Sequence, residues 1–200
     1  MTNGSLAPNP RTVTSMTALL LTAGALLLYA AWLYNRLFTL RSRTRNAWAQ
    51  VDVQLRRRSD LVPNLVKCVK GYVAHESRTL TTMIELRRQA VAAATSIPTR
   101  AVAETELAQS LRLLLATAEE FPRLRASENM LELQEELSAT ENRIAFARQH
   151  YNDTVMEYNA AVASVPASLI ARLFAFAPAT MFSVSDAEGR DALLLGLSAT

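Results

Sequence analysis

Two histidines and one cysteine are the side chains best suited to chemistry in this chain of 200 residues. His75-Glu76 has the opening of the H-E-x-x-H motif, in which two histidines one turn apart hold zinc and the glutamate acts as base. The second histidine belongs at position 79, which is Thr79. A ferritin-like di-iron site needs Glu-x-x-His on two helices. Tyr72 precedes His75 by three residues and Ala147 precedes His150 by three, so that pattern fails too. Cys68 stands alone, which excludes an intramolecular disulfide and a multi-cysteine zinc site. No Cys-His-Asn set accompanies it, and no G-x-S-x-G turn presents a serine nucleophile. The reading is a non-enzyme: no catalytic residue, no metal ligand and no cofactor, with both histidines at the surface or hydrogen-bonded.

The asparagines ask for a reason, because Asn is a mediocre helix former. Asn64, Asn129, Asn142, Asn152 and Asn159 fall in or beside helical stretches. Asn64 and Asn129 suit first turns. Asn142, Asn152 and Asn159 flank an apolar stripe, where they either fix helix register through hydrogen bonds or recognise a partner. With Glu135, the residues Asn64, Asn142, Asn152 and Asn159 are the candidate partner-contact or register positions.

Charge is the other signal. The net charge of +3 is too small to argue for nucleic acid. Its distribution is uneven: Arg36, Arg41, Arg43, Arg45, Arg56, Arg57 and Arg58 face the lone acid Asp52, whereas Glu128, Glu132, Glu135, Glu136 and Glu141 crowd a later segment. Complementarity between neighbouring helices is the plain reading, each surface pair contributing under about 1 kcal/mol. Arg36, Arg41, Arg43 and Arg45 are also candidate contacts to lipid headgroups, at about 1 kcal/mol each near a membrane surface. On a straight helix Arg56 to Arg58 lie about 30 Å beyond Arg36, too far for that role.

The frame for these side chains is helical. Half of the residues are hydrophobic, and Gly and Pro are scarce, a balance that favours an all-α protein. From Ser127 to Val165, the residues Met130, Leu133, Leu137, Thr140, Ile144, Ala147, Tyr151, Thr154, Tyr158, Ala161 and Val165 alternate gaps of three and four. That is a heptad stripe on a helix of roughly 55 Å, which needs partners along its length. Val13 to Tyr34 carries no charge and is long enough to cross a bilayer, with Tyr29, Trp32 and Tyr34 at its end as an aromatic belt. Only Arg11 precedes it, so the positive-inside rule puts the bulk of the chain in the cytoplasm. Leu37, Leu40, Thr44, Trp48, Val51 and Leu55 continue as a first amphipathic helix. Asp60 and Pro63 suggest a bend with a new helix from there to about Ala94. A loop over 95–99 leads to a third helix with Val102, Leu107, Leu111, Leu114, Ala118 and Phe121 on one face. Leu169 to Phe176 is either a lid on the helical body or a membrane-interface foot, and its single basic residue, Arg172, favours the lid.

Three segments carry a resemblance. Arg41-x-Arg43, Ala47-Trp48-Ala49-Gln50-Val51-Asp52-Val53-Gln54-Leu55 and Asp60-Leu61-Val62-Pro63-Asn64-Leu65-Val66 form the first. Lys70-Gly71-Tyr72-x-x-His75-Glu76 is the second. The third is Glu128-Asn129, Leu133-Gln134-Glu135-Glu136-Leu137, Thr140-Glu141-Asn142-Arg143-Ile144, Arg148 and Tyr151-Asn152. Together they resemble the LemA family of bacterial membrane-anchored proteins, over roughly 34–182. The resemblance implies an N-terminal transmembrane helix followed by an antiparallel four-helix bundle of the bromodomain-like up-and-down type. It supplies no reaction.

The resulting expectation has four parts: a disordered tail at 1–12, a transmembrane helix at 13–34, a helical bundle at 35–182 and a weakly ordered tail at 183–200. The protein is expected to sit in the inner, cytoplasmic membrane as a single-pass scaffold or adaptor. Its partners would be the bilayer and other membrane or membrane-associated proteins. The alternative is a sensor or binding module that holds a small ligand or lipid among the Tyr and Asn side chains beside the stripe.

Overall fold

A computed structural model describes residues 10–70, 77–93 and 96–183. Gly71, Tyr72, His75, Glu76 and the tail from 184 onward lie outside the described residues, as do residues 1–9. Every element among the described residues is helical: α1 (Pro10–Lys70), α2 (Ser77–Ala92), α3 (Ile97–Glu119), α4 (Pro122–Arg125), α5 (Glu128–Ala163) and α6 (Ala167–Leu173). Residues 10–12 therefore belong to α1 and not to a tail. Pro10 suits that start, since its fixed φ is already helical and its missing N–H is not needed in a first turn.

No new helix starts at Ser59 to Asn64, and Pro63 lies inside α1. An interior proline leaves the carbonyl four residues earlier without its N–H partner. That carbonyl belongs to Ser59, and Arg87 Nε of α2 donates to it at 2.7 Å. Asp60, expected to cap a new helix, lies 3.8 Å from the same guanidinium. A side chain from 24 positions beyond the proline thus supplies what the backbone cannot.

The chain divides into two compact units, one made of Met1–Ser42 and Glu157–Pro178, the other of Arg43–Met156 and Ala179–Thr200. In the second unit one core cluster joins Leu61, Val62, Leu65 and Val69 of α1 to Leu80, Met83 and Ala90 of α2. Leu107, Leu111, Leu114 and Ala118 of α3, Leu124 of α4, and Met130 and Leu137 of α5 complete it. Another joins Ala47, Val51 and Leu55 to Ala101, Ile144, Tyr151, Val155 and Phe182. Fully burying one such Leu or Val stabilises a fold by about 1.5–3 kcal/mol, so the clusters account for the helices holding together.

Caps set the helix starts. Ser96 caps α3, its Oγ accepting from Thr99 N, and α3 begins inside the segment expected as a loop. Ser127 Oγ accepts from Met130 N at 3.3 Å and caps α5. The α5 stripe holds from Met130 to Tyr158, while Val165 lies past the helix end and is exposed. On α3 the inward face starts with Arg100, Ala101 and Glu104, and Val102 points outward. The periodicity was one position off there because the face opens with charged residues.

In the first unit Leu33, Leu37 and Leu40 of α1, Tyr158 of α5 and Ala167 and Ala171 of α6 are buried. Tyr158 donates its hydroxyl to Ala177 O at 2.9 Å. Leu19, Leu20, Leu21, Leu26, Leu27 and Leu28 are exposed. Among the described residues α1 is the one helix long and apolar enough to cross a membrane.

Candidate functional site

Charges converge inside the second unit. Asp52, Leu55 and Arg58 stand three apart and so share one face of α1. Arg100 and Glu104 share a face of α3, as Glu141, Ile144 and Arg148 do on α5. Arg58, only 3 % exposed, joins all three helices. Its Nη2 donates to Glu104 Oε2 at 2.6 Å and to Glu104 O at 2.8 Å. Its Nη1 donates to Glu141 Oε1 at 2.7 Å. Arg100 pairs with Asp52, lies 3.6 Å from Glu104 Oε1, and places its guanidinium 5.9 Å from the centre of the Trp48 ring. Asp52 also pairs with Arg56 at 2.8 Å.

Arg148 is half-buried and lies 4.8 Å over the Phe182 ring. Burial, and then the nearby charge of Arg58, lower its basicity, while Glu141 acts the other way. A cavity of about 170 Å³ is left among Leu55, Arg58, Glu104, Arg112, Glu141 and Arg148.

This arrangement clamps three helices together. Glu104 and Glu141 are both engaged by Arg58. The hydroxyl of Thr105 at the cavity wall donates to Ala101 O of its own helix at 2.8 Å, so it is not poised as a nucleophile. Among the described residues no three His, Cys, Asp or Glu side chains group as a metal site.

The model of the LemA family matches residues 47–193, well over half of the chain and all of this cluster. The chain belongs to the LemA family. No curated protein matches it.

On this LemA fold the predicted site residues scatter. Asn152 is structural: its Nδ2 donates to Phe182 O at 3.2 Å and its Oδ1 accepts from Phe182 N at 2.9 Å. One amide side chain thereby pairs with both backbone groups of Phe182 as a neighbouring strand would. Tyr151 adds a hydroxyl donated to Thr180 O at 2.6 Å, and burial pushes its phenol above the ordinary tyrosine range. The Tyr side chains expected around a ligand are thus spent on holding backbone, with Tyr151 and Tyr158 both buried. Asn159 is half-buried in the other unit.

Asn64, Glu135 and Asn142 are exposed. Asn64 lines a groove of about 500 Å³ with Lys67, Cys68, Asn129, Glu132 and Glu136. A second groove of about 470 Å³ runs past Gln50, Val53, Gln54, Arg143, Phe146 and His150. Val53 and Phe146 are exposed there, and Gln54 Oε1 is buried without a hydrogen bond. Arg36 is exposed with its guanidinium 5.6 Å from the Trp32 ring centre, and Arg41 is half-buried, 5.7 Å from that of Phe176. Arg43 and Arg45 are exposed.

Arg58 sits on the basic face the sequence reading set against the acidic long helix, and it pairs with Glu141 there; its burial and its pairing with Glu104 were not foreseen. The signal was present: it continues the spacing of Trp48, Val51 and Leu55 by three more residues. Arg100 and Glu104 likewise continue the apolar period of α3 backwards. A charged residue on an apolar period marks a buried ion pair only when its partner is known, and the partners here are 46 and 83 positions away.

Proposed function

We propose that this protein is a non-enzymatic scaffold or adaptor held in the membrane by the apolar end of α1, with the bulk of the chain in the cytoplasm. Its body is read as an antiparallel four-helix bundle formed by the later part of α1 with α2, α3 and α5. The observation that carries the reading is the run of exposed leucines on α1; the charges gathered in the second unit pair with one another. Leucines that none of the described residues covers fit hydrocarbon better than water. The groove at Val53 and Phe146 suits a protein partner, since these exposed apolar side chains line it together with polar Gln50, Gln54, Arg143 and His150.

A photoreactive benzoylphenylalanine at position 146 should crosslink a discrete protein in native membranes, and one at Glu85 on the exposed side of α2 should not. No adduct from position 146 or from position 53 would overturn the adaptor role. For topology, a lone cysteine at position 190 should resist an impermeant maleimide in intact cells, while labelling there from outside would reverse the orientation. A ligand-holding sensor is the second reading, favoured only by the cavity beside Arg148. At about 170 Å³ that cavity is below the roughly 300–1,000 Å³ of typical small-molecule pockets. It suits an ion, and calorimetric titration with inorganic phosphate tests it.

A further inference from the structure

We propose that Val165 to Phe174, centred on α6, is an interfacial membrane contact beside the span. The proposal rests on the reading of α1 as a membrane anchor. It starts from an inverted pattern of burial. In a helix packed on a water-soluble body the large apolar side chains face inward. In α6 the small residues Ala167 and Ala171 are buried, whereas Leu169 and Leu173, also four apart, are 66 % and 75 % exposed. Val165 before the helix is 85 % exposed and Phe174 after it 52 %. A lid would bury these side chains, so their exposure supports the foot over the lid.

Aromatic packing fixes the height of this face along α1. The Phe174 ring lies 4.8 Å from that of Tyr34, and the Phe176 ring 5.6 Å from it. Tyr34 closes the charge-free run from Val13. Trp32, just before it, is exposed beneath Arg36. The outward leucines therefore stand beside the level where hydrocarbon gives way to headgroups, the depth favoured by Trp and Tyr. A lone α6 has too little basic charge for an interfacial helix, with only Arg172 in it. Arg36 and Arg41 of α1 supply the rest, Arg41 lying over the Phe176 ring that follows α6. Exposed apolar side chains accompanied by Arg36, Arg41 and Arg172 match an anionic lipid interface, and that is the occupant assigned here.

The test uses the full chain with Cys68→Ser and one new cysteine carrying an environment-sensitive dye. The positions are 26 in the span, 169 and 173 in α6, and 131 on the exposed face of α5. The protein is reconstituted in vesicles of phosphatidylcholine and phosphatidylglycerol with nitroxide lipids, labelled near the headgroup or near the chain centre. Dye at 26 should lose fluorescence to the deep nitroxide, dye at 169 and 173 to the shallow one, and dye at 131 to neither. Quenching at 26 with none at 169 or 173 overturns the foot and leaves the anchor standing. A blue-shifted but unquenched dye at 173 means that a second copy or another protein covers α6, which also overturns it. No quenching at 26 removes the anchor reading and this inference together.

Discussion

Arg58 is a single residue on which three helices depend. Its guanidinium holds Glu104, itself buried, and Glu141. Removing one member of a buried ion pair leaves the other charge without compensation, at a cost of about 3–5 kcal/mol. Arg58→Met should therefore lower stability by about that much in a denaturant melt. Arg58→Met with Glu104→Gln should recover a large part of the loss, because the second change removes the stranded charge. A double variant no more stable than the single one would show that Glu104 is not the group left exposed to the penalty. A surface pair gives a contrasting prediction. The Glu85 carboxylate, bonded to Arg88 at 2.6 and 2.9 Å and to Gln89, is held down to about 2. A carboxylate with a depressed folded value stabilises above its unfolded value and loses that contribution as pH falls through the folded one. The window here runs from the ordinary glutamate range down to about 2. Arg88→Ala should raise the Glu85 midpoint towards the ordinary value in a carboxyl NMR titration, with little change in melting, since exposed pairs are weak.

Among the elements, α1 best shows how a tertiary contact overrides a local signal. Pro63 breaks the hydrogen-bond ladder in principle, and Asp60 offers a ready cap for a new helix. The helix continues because Arg87 donates to the stranded Ser59 carbonyl. Arg87→Met should cost about 1–3 kcal/mol, the range for a partner lost from a buried group. In a Pro63→Ala background the alanine N–H can take the carbonyl itself, so the same Arg87→Met change should cost clearly less. Equal costs in the two backgrounds, from a double-mutant cycle of denaturant melts, would mean that Arg87 and Pro63 act independently. Only Pro63 was legible beforehand, because the donor comes from another helix.

At the scale of the molecule, the segment after α6 ties residues far apart in sequence. In the second unit Phe182 is buried among Trp48, Tyr151 and the Arg148 guanidinium, and Asn152 holds its backbone. Phe182→Ala should cost about 3–5 kcal/mol, the range for a large aromatic removed from a core. In a Trp32→Phe background the emission of Trp48 should move to the red, and an unshifted spectrum would mean that Phe182 does not shield that ring. The sequence placed 35–182 in one helical body but had no means of seeing that the body closes on its own carboxyl-terminal segment. Asn152 and Tyr151 looked like ligand or register residues because their partners are backbone atoms, which carry no side-chain signature.

What the sequence by itself determined is whatever depends on neighbours along the helix: the all-helical class, the family, the charge-free run on α1, the stripe of α5 and its start at Ser127. These follow from periods of three and four and from short-range hydrogen bonds, which are properties of one segment. Only the tertiary structure decided that Arg58 is buried, that α1 passes through Pro63, that Asn152 grips Phe182 and that the leucines of α6 face outward. In each case the deciding group comes from a distant segment or is missing where one was expected. A burial or hydrogen-bond partner chosen across the fold leaves no period in the residues that receive it.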